Sequence, residues 1–315
     1  MLLVSMPCVG YADIRTASSF YQLSTLVHEH RWVSDSEVRL ELEQRLIPFP
    51  HCPNKASYQS LHTPKGVLDS YKKTGKYPTL SPPTTLILCY NEAMVQYLVQ
   101  KYRHQSCDGC FSEVIYLLDY PGVAIACFGV GAPTNAMKID TAIAWGVKQF
   151  ISIGGACTIQ KGLSQGELIV CEKAIRDEGI SHHYLPYAKY AFPSRDLTEK
   201  LIGVLKGSNK SYHVGTSLTS DAFYKISKEE VEFFQKDGVV CAEMEAAAEF
   251  AVASLHEDVK IAAIFTLMSD SYANLEWERP VFDKEKKKEV FDTLLTVALQ
   301  AASEHAPEAH KSDNL

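Results

Sequence analysis

Val239-Val240-Cys241-Ala242-Glu243-Met244-Glu245-Ala246-Ala247-Ala248 decides how this chain is read. A short apolar run ends in two carboxylates two residues apart, and an alanine-rich helix follows at once. Met244, Ala248, Ala251 and Leu255 recur at the spacing of one helix face, with Glu245 and Glu249 on the neighbouring face. Glu243 and Glu245 cannot share a helix face, so they must play different parts. Carboxylates at a strand-to-helix junction are costly to bury without partners. A polyhydroxylated ligand supplies such partners, because an ionised carboxylate only accepts hydrogen bonds and hydroxyls donate them. Asp270 stands where the next apolar run, 259–268, gives out. Carboxylates at the ends of two consecutive strands point to one pocket. The competing reading makes Glu245 a first-turn capping carboxylate and Asp270 an N-cap.

Outward from this junction the same rhythm repeats. Strands are expected at Leu86–Cys89, Val114–Leu118, Val123–Phe128, Gln149–Ile153, Glu167–Cys171, Ser211–Thr216 and 259–268. The second and third form a hairpin about Asp119-Tyr120-Pro121-Gly122. Helices are expected at Asn91–Tyr102, Asn135–Trp145, Asp196–Leu205, Lys228–Lys236 and Lys284–Ala302. This alternation implies an α/β fold, layered α/β/α about a central mixed, largely parallel sheet. Residues 1–80 lack the rhythm, and Ser81-Pro82-Pro83 marks a boundary. The expected division is an N-terminal extension packing on the main domain (1–80), a catalytic domain (81–310) and a tail (311–315). Within the extension, helices are expected after Ser34 and at Val67–Lys73, with a loop at Phe49–Asn54.

Bulk properties narrow the function. The chain has 315 residues, 46% hydrophobic and 22% charged, with a formal net charge of -7. That balance argues against a nucleic-acid or acidic-membrane binder. No apolar run reaches the roughly 18 residues of a membrane span, and Met1-Leu2-Leu3-Val4 lacks the basic flank of a signal peptide. The nine cysteines are odd in number and mostly lie in apolar runs, as reduced cytoplasmic thiols do. Cys107 and Cys110 form a lone C-x-x-C with only His104 nearby, which reads as thiols and not as a metal site.

Three further segments have the composition of a ligand site. Phe128-Gly129-Val130-Gly131-Ala132-Pro133 places glycines between a strand and a helix, where backbone N–H groups can approach a ligand. Ile151-Ser152-Ile153-Gly154-Gly155-Ala156 puts small residues at a strand end. Thr219-Ser220-Asp221-Ala222-Phe223-Tyr224 is a polar turn with two aromatics. Each could equally be a packing feature. His182 and His183 read as a core- or solvent-facing pair, and Lys286-Lys287-Lys288 as a solvated helix face.

Taken together, residues 84–305 resemble the nucleoside phosphorylase family, which includes uridine phosphorylase, hexameric purine nucleoside phosphorylase and methylthioadenosine nucleosidase. The resemblance rests on Glu243-Met244-Glu245-Ala246-Ala247, similar to the family's ribose-binding signature, on the Gly129–Pro133 turn, and on Arg176–Pro186 after the central strand. It implies that Glu245 bonds ribose hydroxyls with Glu243 beside it, that Met244 packs on the sugar, and that Phe223, with Asp221 in the same turn, meets the base. Asp270 would assist the departing base. Gly129, Gly131 and Gly155 would line the site. The resemblance implies no cofactor, phosphate as possible co-substrate, a small-molecule nucleoside as substrate, and assembly as a homodimer or hexamer.

The usual phosphate ligands of that family are missing. Cys89-Tyr90-Asn91-Glu92-Ala93-Met94 has no glycine, proline or arginine, Ser152 stands where an arginine is usual, and Gly155 where a threonine is usual. Three functions therefore stay open: phosphorolysis using an unaligned cation such as Arg103 or Arg176, hydrolysis by water, or non-catalytic nucleoside binding. A Rossmann dehydrogenase is disfavoured, because no G-x-G-x-x-G lies in a βαβ unit with a matching ribose acid.

Overall fold

The strand Thr85–Cys89 (β1) is buried along its whole length, as expected of a strand flanked on both sides and covered on both faces. It pairs in parallel with Val123–Ala126 (β4) and Gln149–Thr158 (β5), and β5 pairs in parallel with Lys260–Ser269 (β10). The computed structural model describes residues 55, 58–110, 113–275 and 283–303. The expected helix after Ser34, the loop Phe49–Asn54 and the tail 311–315 lie outside them.

A second parallel group is formed by Leu168–Asp177 (β6), Tyr212–Ser220 (β8) and Val239–Glu243 (β9). Antiparallel contacts, β10 to β6 and β5 to β9, join the two groups. Strands β5, β10, β6, β8 and β9 thus close a ring, from which β1, β4, Glu113–Leu118 (β3) and His104–Cys110 (β2) extend as an arm. The short strand Tyr190–Ala191 (β7) pairs with β6. The mixed α/β architecture is the one expected from sequence, and the hairpin β3–β4 falls where its turn residues put it.

Helices cover two sides. Pro64–Thr74 (α1), Ala132–Trp145 (α3) and Ala246–Ala253 (α7) enclose one core with Phe128, Phe150, Phe250 and Phe265. Glu92–Val99 (α2), Arg195–Lys206 (α5) and Lys284–Ala302 (α9) enclose the other, with Ile87, Ile151, Leu201 and Leu294. Lys228–Lys236 (α6) and the single turns Ser181–Tyr184 (α4) and Ser271–Asn274 (α8) complete the set. Local chemistry fixes the ends. Ser227 and Glu230 form a reciprocal capping box on α6, Asn91 accepts the Met94 N–H of α2, and Asp283 accepts two N–H groups of α9.

The chain divides into Met1–Tyr58 and Gln59–Leu315. Helix α1 belongs with the main unit, and its Leu68 is buried in the first core. Three strands run well past their expected ends, and one of them is β6, which passes Cys171 to reach Asp177. β5 continues through Gly154 and Gly155 to Thr158, and β8 takes in Thr219 and Ser220, which the sequence presents as turn.

Candidate active site

A cavity of about 280 Å³ opens at the carboxyl ends of β1, β5, β8, β9 and β10, where ligands commonly sit in α/β sheets. Its wall includes Tyr90, Gly155, Phe223, Glu243, Met244 and Glu245.

Glu243 ends β9 and is buried. Its Oε2 accepts the backbone N–H groups of Glu245 and Ala246, each at 2.7 Å, and so caps α7. Its Oε1 accepts the hydroxyls of Ser217 and Thr219 at 3.0 and 2.5 Å. Burial raises this carboxyl above its ordinary range, and those four donors pull against the shift. The capping part that could have fallen to Glu245 belongs to Glu243.

Glu245 is 4% exposed, and it sits in the bend between strand and helix. Its Oε1 accepts the Gly131 N–H at 2.7 Å and its Oε2 the Met244 N–H at 3.2 Å. Burial, with the Glu243 charge adding to it, pushes its pKa up to about 8. Each of its oxygens has one such bond, so it keeps acceptor capacity toward the cavity that Glu243 has used.

The glycine turn is held from behind. Asn135 Nδ2 donates to the carbonyls of Gly129 and Gly131, and Lys138 Nζ to that of Phe128 at 2.9 Å. Gly131 has φ +105°, a backbone open to glycine and strained for other residues. The turn reaches the wall through Val130, while Gly131 acts through Glu245.

Behind the wall lies a third carboxylate that the sequence reading placed only on a helix face. Glu249 is wholly buried, accepting Tyr90 Oη at 2.8 Å and Ser152 Oγ at 2.5 Å. Burial pushes it to about 7, against those two donors. The glycine pair in β5 has a packing reason. A Cβ on Gly154 would lie 2.9 Å from the Tyr90 ring, and one on Gly155 would collide with Met268. These glycines sit mid-strand and admit two side chains of the wall, which corrects their placement at a strand end.

Phe223 lines the cavity from the single 3₁₀ turn Phe223–Lys225 and is 38% exposed, with Tyr224 edge-on at 5.2 Å. Met244 is half-buried on the same wall. Tyr272 joins them, and its hydroxyl is buried with no hydrogen-bond partner among the described residues. Asp270 and Asp221 are not part of this wall. Asp270 Oδ1 lies 3.5 Å from Gln165 Nε2, and Asp221 is exposed with its Oδ2 accepting the Gly179 N–H.

The cations considered for phosphate are elsewhere. Arg176 is buried and donates to Ser181 Oγ, Pro186 O and Leu185 O, and Arg103 is not on the wall. His182 is buried against the Arg176 carbonyl and His183 is exposed, so the pair splits between core and solvent. Cys107 is buried, and no cluster of metal-ligating residues occurs among the described residues.

Buried carboxylates and aromatic rings gather about a small cavity at the strand ends of this α/β fold. The chain belongs to the phosphorylase superfamily, whose family model matches residues 91–304. It is 31% identical over 201 residues to a DeoD-type purine nucleoside phosphorylase of Streptococcus gordonii, a match covering 61% of this chain and 82% of that protein. It is 27% identical over 187 residues to a guanosine phosphorylase of Halorubrum lacusprofundi, covering 59% and 77%. Its fold matches uridine phosphorylase from Vibrio fischeri ES114 with a TM-score of 0.63 at 24% identity, covering 71% of this chain and 92% of that one.

Proposed function

We propose that the protein cleaves the N-glycosidic bond of a nucleoside as a nucleoside phosphorylase, a pentosyl-transferring enzyme with phosphate as acceptor. The observation that carries this is Glu245, a buried carboxylate with acceptor capacity left, set between the glycine turn and a cavity whose other side offers Phe223. Glu245 takes the ribose hydroxyls, Met244 packs on the sugar and Phe223 stacks on the base. As the C1′–N bond lengthens, positive charge grows on the sugar ring, and the carboxylates beneath it favour that charge. Negative charge grows on the base, which a hydroxyl donor such as Tyr272 at that end of the wall would relieve.

The relatives' names support a nucleoside substrate, and purine or uridine preference follows from the base-side residues. We read the protein as a homo-oligomer of a reducing compartment. The burial of Cys89, Cys107, Cys127, Cys171 and Cys241, as small apolar side chains, supports the compartment. Among the described residues no helix is long and apolar enough to cross a membrane. The test is release of free base from a panel of purine and pyrimidine nucleosides, with and without phosphate. Release that requires phosphate is the expected result. Release at full rate without phosphate would make the enzyme a nucleosidase, and no release in either condition would leave a binding protein.

A further inference from the structure

Helix α9 opens with Lys284, Lys286, Lys287 and Lys288. The start of a helix carries positive partial charge, so four lysines there run against the macrodipole. Successive residues step about 100° round a helix, and the three consecutive lysines go to three places. Lys288 Nζ meets Glu285 Oε1 at 2.8 Å and lies over the Tyr97 ring. Lys286 lies against Gly166 and lines a separate surface hollow with Glu167 and Glu289. Lys287 lines the nucleoside cavity, its Nζ 6.0 Å from the Phe291 ring centre, and Phe291 lines the same wall one turn on. The expectation of a uniformly solvated lysine face is corrected at this residue.

Among the described residues Lys287 is the only cation on a wall whose other charged groups are Glu243 and Glu245. Its charge acts on the Cys89 thiol at the end of β1, next to Tyr90 and Asn91 of the wall, while Glu243 and Glu245 hang from the end of β9. Glu92, which follows Asn91, is exposed and accepts Gln96 Nε2 at 2.7 Å. The wall therefore has a carboxylate side suited to hydroxyls and a lysine side suited to an anion. An ammonium group binds phosphate as a point charge, without the fixed fork of arginine.

We propose that Lys287 binds a phosphate dianion on the Tyr90–Asn91 side of this cavity, in place of an arginine. This rests on the nucleoside-cleavage reading and names the residue that handles its acceptor. In the reaction a phosphate oxygen forms the bond to C1′ as the C1′–N bond breaks. The bonding pair leaves with the base, and the proton of the monohydrogen phosphate ends on the base. Lys287 remains an ammonium ion throughout. The same site would take the 5′-phosphate of a nucleotide, so the test has an arm for each source.

Initial rates of the full-length protein are measured against inorganic phosphate at saturating nucleoside, and against a nucleoside 5′-monophosphate. Lys287→Ala is expected to raise the KM for inorganic phosphate about tenfold to a hundredfold, as for loss of a charged hydrogen bond, with the nucleoside KM within about twofold. Lys287→Arg is expected to restore most of the affinity, and Lys288→Ala to change neither constant. If only nucleotide turnover suffers in Lys287→Ala, the phosphate held is the ester. Calorimetric titration with inorganic phosphate gives a readout independent of turnover. Equal binding of inorganic phosphate by wild type and Lys287→Ala, together with unchanged kinetics in both arms, overturns the proposal while leaving nucleoside cleavage intact. Absence of base release with lysine-dependent phosphate binding would instead sink the function and spare the site.

Discussion

The backbone N–H of Gly131 donates to Glu245 Oε1 at 2.7 Å, so the glycine turn and the carboxylate segment, 114 residues apart, form one device. The turn aims the carboxylate. Glu245→Ala is expected to reduce kcat/KM at least a hundredfold, because charged hydrogen bonds of about 1.5–3 kcal/mol each are lost to the sugar. Gly131→Ala keeps the carboxylate but strains a φ of +105°, which costs about 1–3 kcal/mol. It should raise the nucleoside KM about tenfold and lower Tm. Kinetics of both variants beside a melting curve separate the two effects. A wild-type KM in the Gly131→Ala variant would disconnect the turn from the site.

Glu245 at about 8 and Glu249 at about 7 make stability depend on pH. Both native values lie above the ordinary carboxyl value of 4.5. Between pH 4.5 and 8 the native state holds protons that the unfolded chain has released. Stability therefore falls as pH rises through this window and levels off above it. The ligand-free protein should show its Tm declining from pH 5 to 8. Glu249→Gln should flatten the part of the decline between pH 4.5 and about 7, and equal slopes in variant and wild type would refute that assignment. The same titration of Glu245 predicts kcat/KM rising with pH to a plateau above about 8, since the ionised carboxylate accepts from two ribose hydroxyls where the acid accepts less well. Glu245→Gln should remove that limb.

Much of this was legible in the sequence because it is local. Helix α6 matched its expected ends because Ser227 and Glu230 form a capping box that the spacing displays. The Glu243-Met244-Glu245 junction lies where strand β9 stops, as its apolar run implies. What stayed hidden depends on residues far apart in the chain. Nothing near Glu249 shows that Tyr90, 159 residues away, will bond it. The glycines of β5 looked like the end of the strand because a sequence does not show Tyr90 and Met268 pressing on them. A triple lysine reads as solvated until the helix supplies the rotation that sends Lys287 to the cavity.

Asp270 lies outside the cavity wall, beside Gln165, whereas the family resemblance implies a place for it at the base. Asp270→Asn should accordingly keep kcat/KM for purine nucleosides within about threefold. Tyr272 holds the wall position two residues on, with an unpartnered buried hydroxyl. Tyr272→Phe should leave Tm unchanged or slightly higher, because an unsatisfied buried hydroxyl costs about 1–3 kcal/mol. It should lower kcat more than it raises KM if that hydroxyl meets the departing base. A loss beyond tenfold in Asp270→Asn with a silent Tyr272→Phe would return the role to the aspartate.

Phe223 sits on a short turn and keeps over a third of its surface exposed while lining the cavity. Replacing it should barely touch the fold, since little packing is lost. A stacked aromatic pair is worth about 0.5–1.5 kcal/mol beyond its buried area, and removing the ring also removes its apolar contact with the base. Phe223→Ala should therefore raise nucleoside KM about tenfold to thirtyfold, with Tm within about 1 °C and the phosphate KM unchanged. Phe223→Tyr, which keeps the ring, should stay within about threefold of wild type. The contrast is read most directly with free base as a competitive inhibitor, because base lacks the sugar that Glu245 holds. Inhibition weakened in Phe223→Ala but not in Glu245→Ala assigns the ring to the base and the carboxylate to the ribose. The opposite pattern would exchange the two ends of the cavity.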